Sequence, residues 1–205
     1  MRAVVFLSEG LGNQMFQYAL YTSLKGQGYN IKANKRILEK NFQHNGYELE
    51  RVFGIHTSSN ILDFFLMRCL RYLIVWKPNI PLGKLLIKLL RITLITDETI
   101  EEQIKRVNKY NIVYFRGYFQ SANFFNNIKD IHKIFSFQEE KISKQSKEIL
   151  TFIQQCNAVS IHIRRGDYLV KCHKDNFGGI CTTEYYQKAI DIMCSKVANP
   201  YFFIF

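Results

Sequence analysis

Short β-rich apolar runs alternate along the chain with longer segments whose apolar residues recur at helical spacing, the pattern of an α/β protein. Residues 3–7 form the first strand, residues 8–13 read as a turn, a helix follows over about 14–25, and a second strand covers 29–33. Residues 62–76 and 82–90 read as helices separated by Pro78 and Pro81, and a further helix is expected over 98–107. Residues 111–115 are a strand, and helices over about 122–134 and 139–155 lead to a strand at 159–163. In the second of these helices Ile142, Ile149, Ile153 and Cys156 share one face. A domain boundary is placed there, dividing the chain into residues 1–155 and 156–205. A helix over 183–196 and the continuous apolar run 201–205 complete the pattern. That last run is typical of a buried parallel strand, so the second domain is expected to be incomplete in this chain.

Hydrophobic residues make up 47% of the sequence and aromatics 15%, which excludes disordered and collagen-like classes. Lys plus Arg total 28 against 17 acids, and the net charge of +11 favours phosphate-bearing partners. Five widely spaced cysteines without a CxxC pair read as free thiols rather than a disulfide or zinc framework. The apolar start is too short for a secretory signal, and Asp63, Arg68 and Arg71 interrupt the most membrane-like stretch. A cytoplasmic protein without a transmembrane helix is expected.

Two segments carry candidate chemistry. Gly10-Leu11-Gly12-Asn13-Gln14-Met15 begins like a dinucleotide fingerprint, but Met15 replaces the third glycine and no acid ends the second strand. An NAD or FAD role is therefore disfavoured. The glycines also fit a tight turn that needs glycine torsions. Amides at the carboxyl end of a strand, Asn13, Gln14 and Gln17, suit sugar hydroxyls.

In the second segment Val159, Ile161 and Ile163 alternate with Ser160, His162 and Arg164, and the charges gather at the carboxyl end. Ligands bind at that end of open α/β sheets, where paired arginines can fork onto a diphosphate. Gly166 permits close passage of the backbone, and Asp167 can orient an arginine or accept a proton. An internal Arg–Asp ion pair is the structural alternative.

Gly12-Asn13-Gln14-Met15-Phe16-Gln17-Tyr18-Ala19 and His162-Ile163-Arg164-Arg165-Gly166-Asp167-Tyr168 resemble signature motifs of the α-1,2-fucosyltransferase family of bacteria and animals. Tyr47-Glu48-Leu49-Glu50-Arg51-Val52-Phe53, Gly117-Tyr118-Phe119-Gln120-Ser121 and Gly179-Ile180-Cys181 before Tyr185-Tyr186 agree in order, with Phe119 where the family often has tryptophan. The resemblance implies a GT-B glycosyltransferase with two Rossmann-like domains. Its first would be the acceptor side and its second the GDP-fucose side. Such an enzyme is metal-independent and moves L-fucose with inversion from GDP-β-L-fucose to the 2-hydroxyl of a terminal galactose.

On that resemblance Arg165 neutralises the leaving diphosphate with Arg164 in support, and Asp167 is the candidate base. The donor set is His162, Arg164, Arg165, Gly166, Tyr168, Gly12 and Asn13, and the acceptor set is Gln14 and Gln17. No cofactor and no metal are expected.

Other readings remain open beside this one. Leu82, Leu85, Leu86, Leu89 and Leu90 lie on one helical face opposite Lys84, Lys88 and Arg91. This is either a core-packed helix with a solvated basic side or an interfacial helix that holds the protein peripherally at the inner face of a membrane, near lipid-linked acceptors. His44, His56 and His173 sit in polar loops with no assigned partner. A fucosyltransferase of another linkage, or a basic RNA- or anionic-lipid-binding protein without catalysis, are the competing functions. Scattered positive charge without an aromatic RNA-binding signature disfavours nucleic acid.

Overall fold

The computed structural model describes residues 1–39, 45–164 and 180–205. The chain divides into two compact units, Met1–Lys141 and Ile142–Phe205. The first holds a four-stranded sheet of β1 (Arg2–Phe6), β2 (Ile31–Asn34), β3 (Ile92–Ile95) and β4 (Ile112–Phe115), in the order β2-β1-β4-β3. Every pairing is parallel. Parallel strands need crossover helices, which here cover both faces of the sheet.

Ala3, Val5, Val113 and Phe115 point to one face, where Leu20 and Leu24 of α1 (Leu11–Gly26) and Ile100 of α5 (Ile100–Gln103) pack on them. Val4, Phe6, Leu94 and Tyr114 point to the other face, against Phe64, Met67 and Leu70 of α3 (Ile61–Arg71). The two-residue alternation of each strand thus fills two cores at once, as expected for strands buried on both sides. The short α2 (Glu48–Phe53) and α4 (Pro81–Leu90) complete the first part of the unit, and a π-helical segment, Tyr72–Trp76, continues α3.

Several expectations need correction. The expected helix over 122–134 is only a 3-10 turn at Ala122–Phe124 and one helical turn, α6 (Ile131–Ile134). Asn127 between them donates to the Ser23 carbonyl and accepts from Ser23 Oγ at 2.6 Å, so this segment is tied to α1 instead of to itself. The helix expected from residue 139 begins later as α7 (Lys144–Gln155), because Ser143 caps it by accepting from Ser146 N–H at 3.1 Å. Strand β3 was not anticipated, since it follows the leucine-rich α4 without a glycine or proline. The break is made by Arg91 in the left-handed region at φ 50°.

In the second unit β5 (Asn157–Ile161) pairs in parallel with β6 (Pro200–Ile204), α7 contacts β5, and α8 (Thr183–Lys196) connects the strands. The parallel strand expected at the end of the chain is present, but Tyr201, Ile204 and Phe205 are exposed. The helix expected to end at the domain boundary near Cys156 belongs to this second unit. Among the described residues no helix is long and apolar enough to cross a membrane.

Candidate functional site

In the first unit β1 runs through α1 to β2 on one flank, while its other neighbour, β4, is reached only after β3. The carboxyl ends of the adjacent strands β1 and β4 lie at the edge of an open α/β sheet where ligands bind. The loops that meet there are residues 7–10 after β1 and 116–120 after β4.

Gln17 joins these two loops. Its Oε1 accepts from Ser8 N–H at 2.8 Å, while Nε2 donates to Ser8 Oγ at 3.1 Å and to the Gly117 carbonyl at 2.8 Å. Gln14 repeats the device one helical turn earlier. Its Nε2 donates to the Glu9 and Gly46 carbonyls at 2.7 and 2.9 Å, and its Oε1 accepts from Glu48 N–H at 2.9 Å. Both glutamines are fully buried.

Nearer the opening, Gln120 Nε2 donates to Asn13 Oδ1 at 2.6 Å, linking the start of α1 to the loop after β4. Gly12 is exposed, and a methyl group built on it would meet no atom within 4 Å. No glycine torsion is needed at Gly10, the helix cap with φ −72°, and the left-handed position of this turn is held by Glu9 at φ 65°. The tight-turn explanation for these glycines is thereby set aside; at Gly12 the missing side chain leaves open space.

The loop after β4 adds residues that the sequence analysis does not single out. Arg116 follows the last residue of the strand and donates from Nη1 to Ser8 Oγ at 2.9 Å. Burial pushes its pKa below that of a free guanidinium, and the nearby charge of Arg71 acts in the same direction, against the pull of Glu9 and Asp97. Asp97 accepts from the N–H groups of Tyr118 and Phe119, the latter at 2.6 Å, and so fixes the turn in which Phe119 takes φ 54°. The sequence signal was present, because a cation directly after an apolar strand is the same pattern that marks Arg164. Beside Arg116 a cavity of about 340 Å³ is lined by Phe64, Met67, Arg68, Arg71 and Trp76.

In the second unit His162 and Arg164 follow β5 at its carboxyl end and are exposed. The Tyr186 hydroxyl donates to the His162 carbonyl at 3.2 Å. Loss of solvent and then the adjacent Cys181 thiol raise the pKa of that hydroxyl. A cavity of about 290 Å³ is lined by Ser160, Ile161, His162, Cys181, Tyr185 and Tyr186. Arg165, Gly166, Asp167 and Tyr168, together with His44 and His173, lie outside the described residues. Among the described residues no group of three His, Cys, Asp or Glu side chains is placed to hold a metal ion.

Both amide clamps and the His162–Arg164 segment thus sit at the carboxyl ends of parallel strands, where open α/β sheets bind their ligands. The chain is 30% identical to an α-1,2-colitosyltransferase of Escherichia coli, over 98% of its own length and 67% of the relative. It is 27% identical to the E. coli O-antigen biosynthesis glycosyltransferase WbnK, over 90% of its length and 65% of that relative. The chain therefore spans about two thirds of the length of these curated relatives. No solved structure matches it. The model of glycosyl transferase family 11 matches residues 3–205, nearly the whole mixed α/β chain with both motif segments, and the chain belongs to that family.

Proposed function

We propose that the protein transfers L-fucose from GDP-β-L-fucose to the 2-hydroxyl of a terminal galactose with inversion, in a GT-B arrangement with the acceptor on the side of residues 1–155. The observation that carries this reading is the His162-Ile163-Arg164-Arg165-Gly166-Asp167-Tyr168 sequence in a member of a glycosyltransferase family, its first residues, His162 to Arg164, following β5 at its carboxyl end.

In the reaction the galactose 2-oxygen attacks the anomeric carbon from the face opposite the diphosphate. The bond from that carbon to the phosphate oxygen breaks, and the hydroxyl proton goes to a base, assigned to Asp167. Negative charge grows on the departing β-phosphate, and a fixed guanidinium stabilises it most in the transition state. Arg165 takes this role with Arg164 in support, while His162, Gly166, Tyr168, Gly12 and Asn13 complete the donor side. Gln14 and Gln17, whose amides are bonded to backbone, act on the acceptor side by positioning the loops around it.

A second reading is favoured by the match to an α-1,2-colitosyltransferase. It keeps the linkage but takes colitose, the 3-deoxy counterpart of fucose, as the donor sugar. The test is transfer to a β-galactoside from GDP-fucose and from GDP-colitose, with the linkage read by NMR. A site that hydrogen-bonds the 3-hydroxyl discriminates against the deoxy sugar by about 10⁴-fold. A strong preference for GDP-colitose selects the second reading, and no transfer from either donor rejects both. Arg165→Lys lowers turnover by roughly 30- to 1,000-fold if its planar fork holds the leaving group.

A further inference from the structure

The most unusual surface of the first unit is carried by helix α4 and the segment just before it. Helix α4 buries only Gly83. Its leucines 82, 85, 86 and 89 stand at the i, i+3, i+4, i+7 spacing of one helical face, and Leu82 and Leu89 are 64% and 67% exposed. The core-packed alternative for this helix is therefore overturned.

The helix is held to the body by a different edge. A side chain on Gly83 would come within 2.9 Å of Leu73, and Ile87 packs on the cluster around Val4, Phe6 and Tyr114. That cluster is already filled by Phe64, Met67 and Leu70 of α3, which leaves the leucine face directed outward. Just before the helix, Val75 and Trp76 are also exposed, Trp76 by 68%.

Charge selects what meets this face. From residue 64 to residue 96 the sequence has Arg68, Arg71, Lys77, Lys84, Lys88 and Arg91 and no Asp or Glu. A second copy of the chain would bring the same cations against each other. Nucleic acid would satisfy the cations and leave the leucines in water. An anionic bilayer satisfies both, with leucines and an indole among the acyl chains and long basic side chains reaching the headgroups. Ten residues of helix span only about 15 Å, which suits lying in the interface and not crossing it.

We infer that the outer face of α4, with Val75 and Trp76, docks the protein onto an anionic lipid surface. The inference does not rest on the identity of the donor or acceptor, and it is tested without assaying transfer.

Trp76 is the only tryptophan of the chain and serves as a built-in reporter. The full chain is mixed with vesicles of phosphatidylcholine alone or of phosphatidylcholine with phosphatidylglycerol, and binding is followed by flotation and Trp76 emission. With anionic vesicles the protein floats, its emission shifts to shorter wavelength, and brominated lipid quenches it. Leu85→Gln with Leu89→Gln abolishes flotation while circular dichroism stays unchanged, as suits exposed positions. Lys84→Gln with Lys88→Gln weakens binding about 30-fold, the factor that corresponds to losing about 1 kcal/mol of attraction for each of the two cations.

Absence of flotation and of any emission shift with anionic vesicles overturns the inference. So does unchanged flotation of the double leucine variant, or equal binding to neutral vesicles. A self-associated protein that is dissociated by the leucine changes and ignores vesicles would instead make this face an interface between copies.

Discussion

Replacing Gln17 by leucine keeps most of the side-chain volume and deletes three hydrogen bonds, to Ser8 N–H, Ser8 Oγ and the Gly117 carbonyl. Ser8 Oγ keeps the Arg116 guanidinium as a partner, so its loss is small. Ser8 N–H and the Gly117 carbonyl lose the bonds that Gln17 makes, in a region where Ser8 and Gln17 are fully buried. Each buried polar group left unsatisfied costs about 1–3 kcal/mol, giving about 2–6 kcal/mol for the substitution. A domain of this kind has about 5–15 kcal/mol in total.

Urea unfolding followed by circular dichroism measures the effect. With a slope of about 2 kcal/mol per molar urea, the midpoint falls by about 1–3 M. Gln17→Glu supplies the control. A carboxylate still accepts from Ser8 N–H but faces the Gly117 carbonyl without a proton, so the folded pKa of the introduced carboxyl is raised. Its stabilisation is then fully present below the unfolded value of about 4.3 and is lost as pH rises through the folded value. A midpoint shift of Gln17→Leu below about 0.4 M, under 1 kcal/mol, would show that the amide does not hold the two loops together.

Three further outcomes are expected. Gly117→Ala places a methyl group 2.6 Å from Asp97 Oδ2, a carboxylate pinned by the N–H groups of Tyr118 and Phe119, and lowers stability by about 1–3 kcal/mol in the same urea assay. Gly12→Ala meets no atom and leaves stability equal or slightly higher, so any large fall in transfer measures close approach of a ligand to this turn. Tyr114, whose pKa is pushed up to about 12 by burial and by Asp63, contributes stability that is complete below pH 10 and is lost as pH rises from 10 to 12. At most this is about 2.7 kcal/mol, and thermal melts of Tyr114→Phe should be flatter across that interval.

How much of this was legible beforehand depended on how local the cause was. The strands β1, β4 and β5 and the helices α1 and α8 announce themselves by periodicity, and the sequence places them within a few residues. Strand β3 was hidden because Arg91 adopts a left-handed torsion that composition does not mark. The supposed helix at 122–134 failed because Asn127 bonds to Ser23, a partner 104 positions away. Arg116 and Asp97 escaped for a similar reason. The place of Arg116 directly after an apolar strand is a local signal, but the Ser8 partner that separates it from a surface cation stands 108 positions away. The leucine face of α4 was visible as a pattern, but whether it meets core or solvent is decided by α3, which reaches the cluster first.

The amide motif shows why residue type alone misleads about role. Where β1 and β4 end, the ladder between them stops, and the loops after them diverge with backbone donors and acceptors left over. A single side chain can satisfy both kinds only if it offers an acceptor and two donors at the right reach. Glutamine does. Glutamate can only accept when ionised, lysine can only donate, and leucine does neither. Asparagine has the right groups but is one methylene, about 1.5 Å, too short to reach both loops from α1. Thus Gln17, which accepts from Ser8 N–H and donates to the Gly117 carbonyl, meets a demand set by the backbone of these two loops. The same demand ties Gln17 to Arg116, because Ser8 Oγ, the atom that Gln17 holds from one side, receives the Arg116 guanidinium from the other.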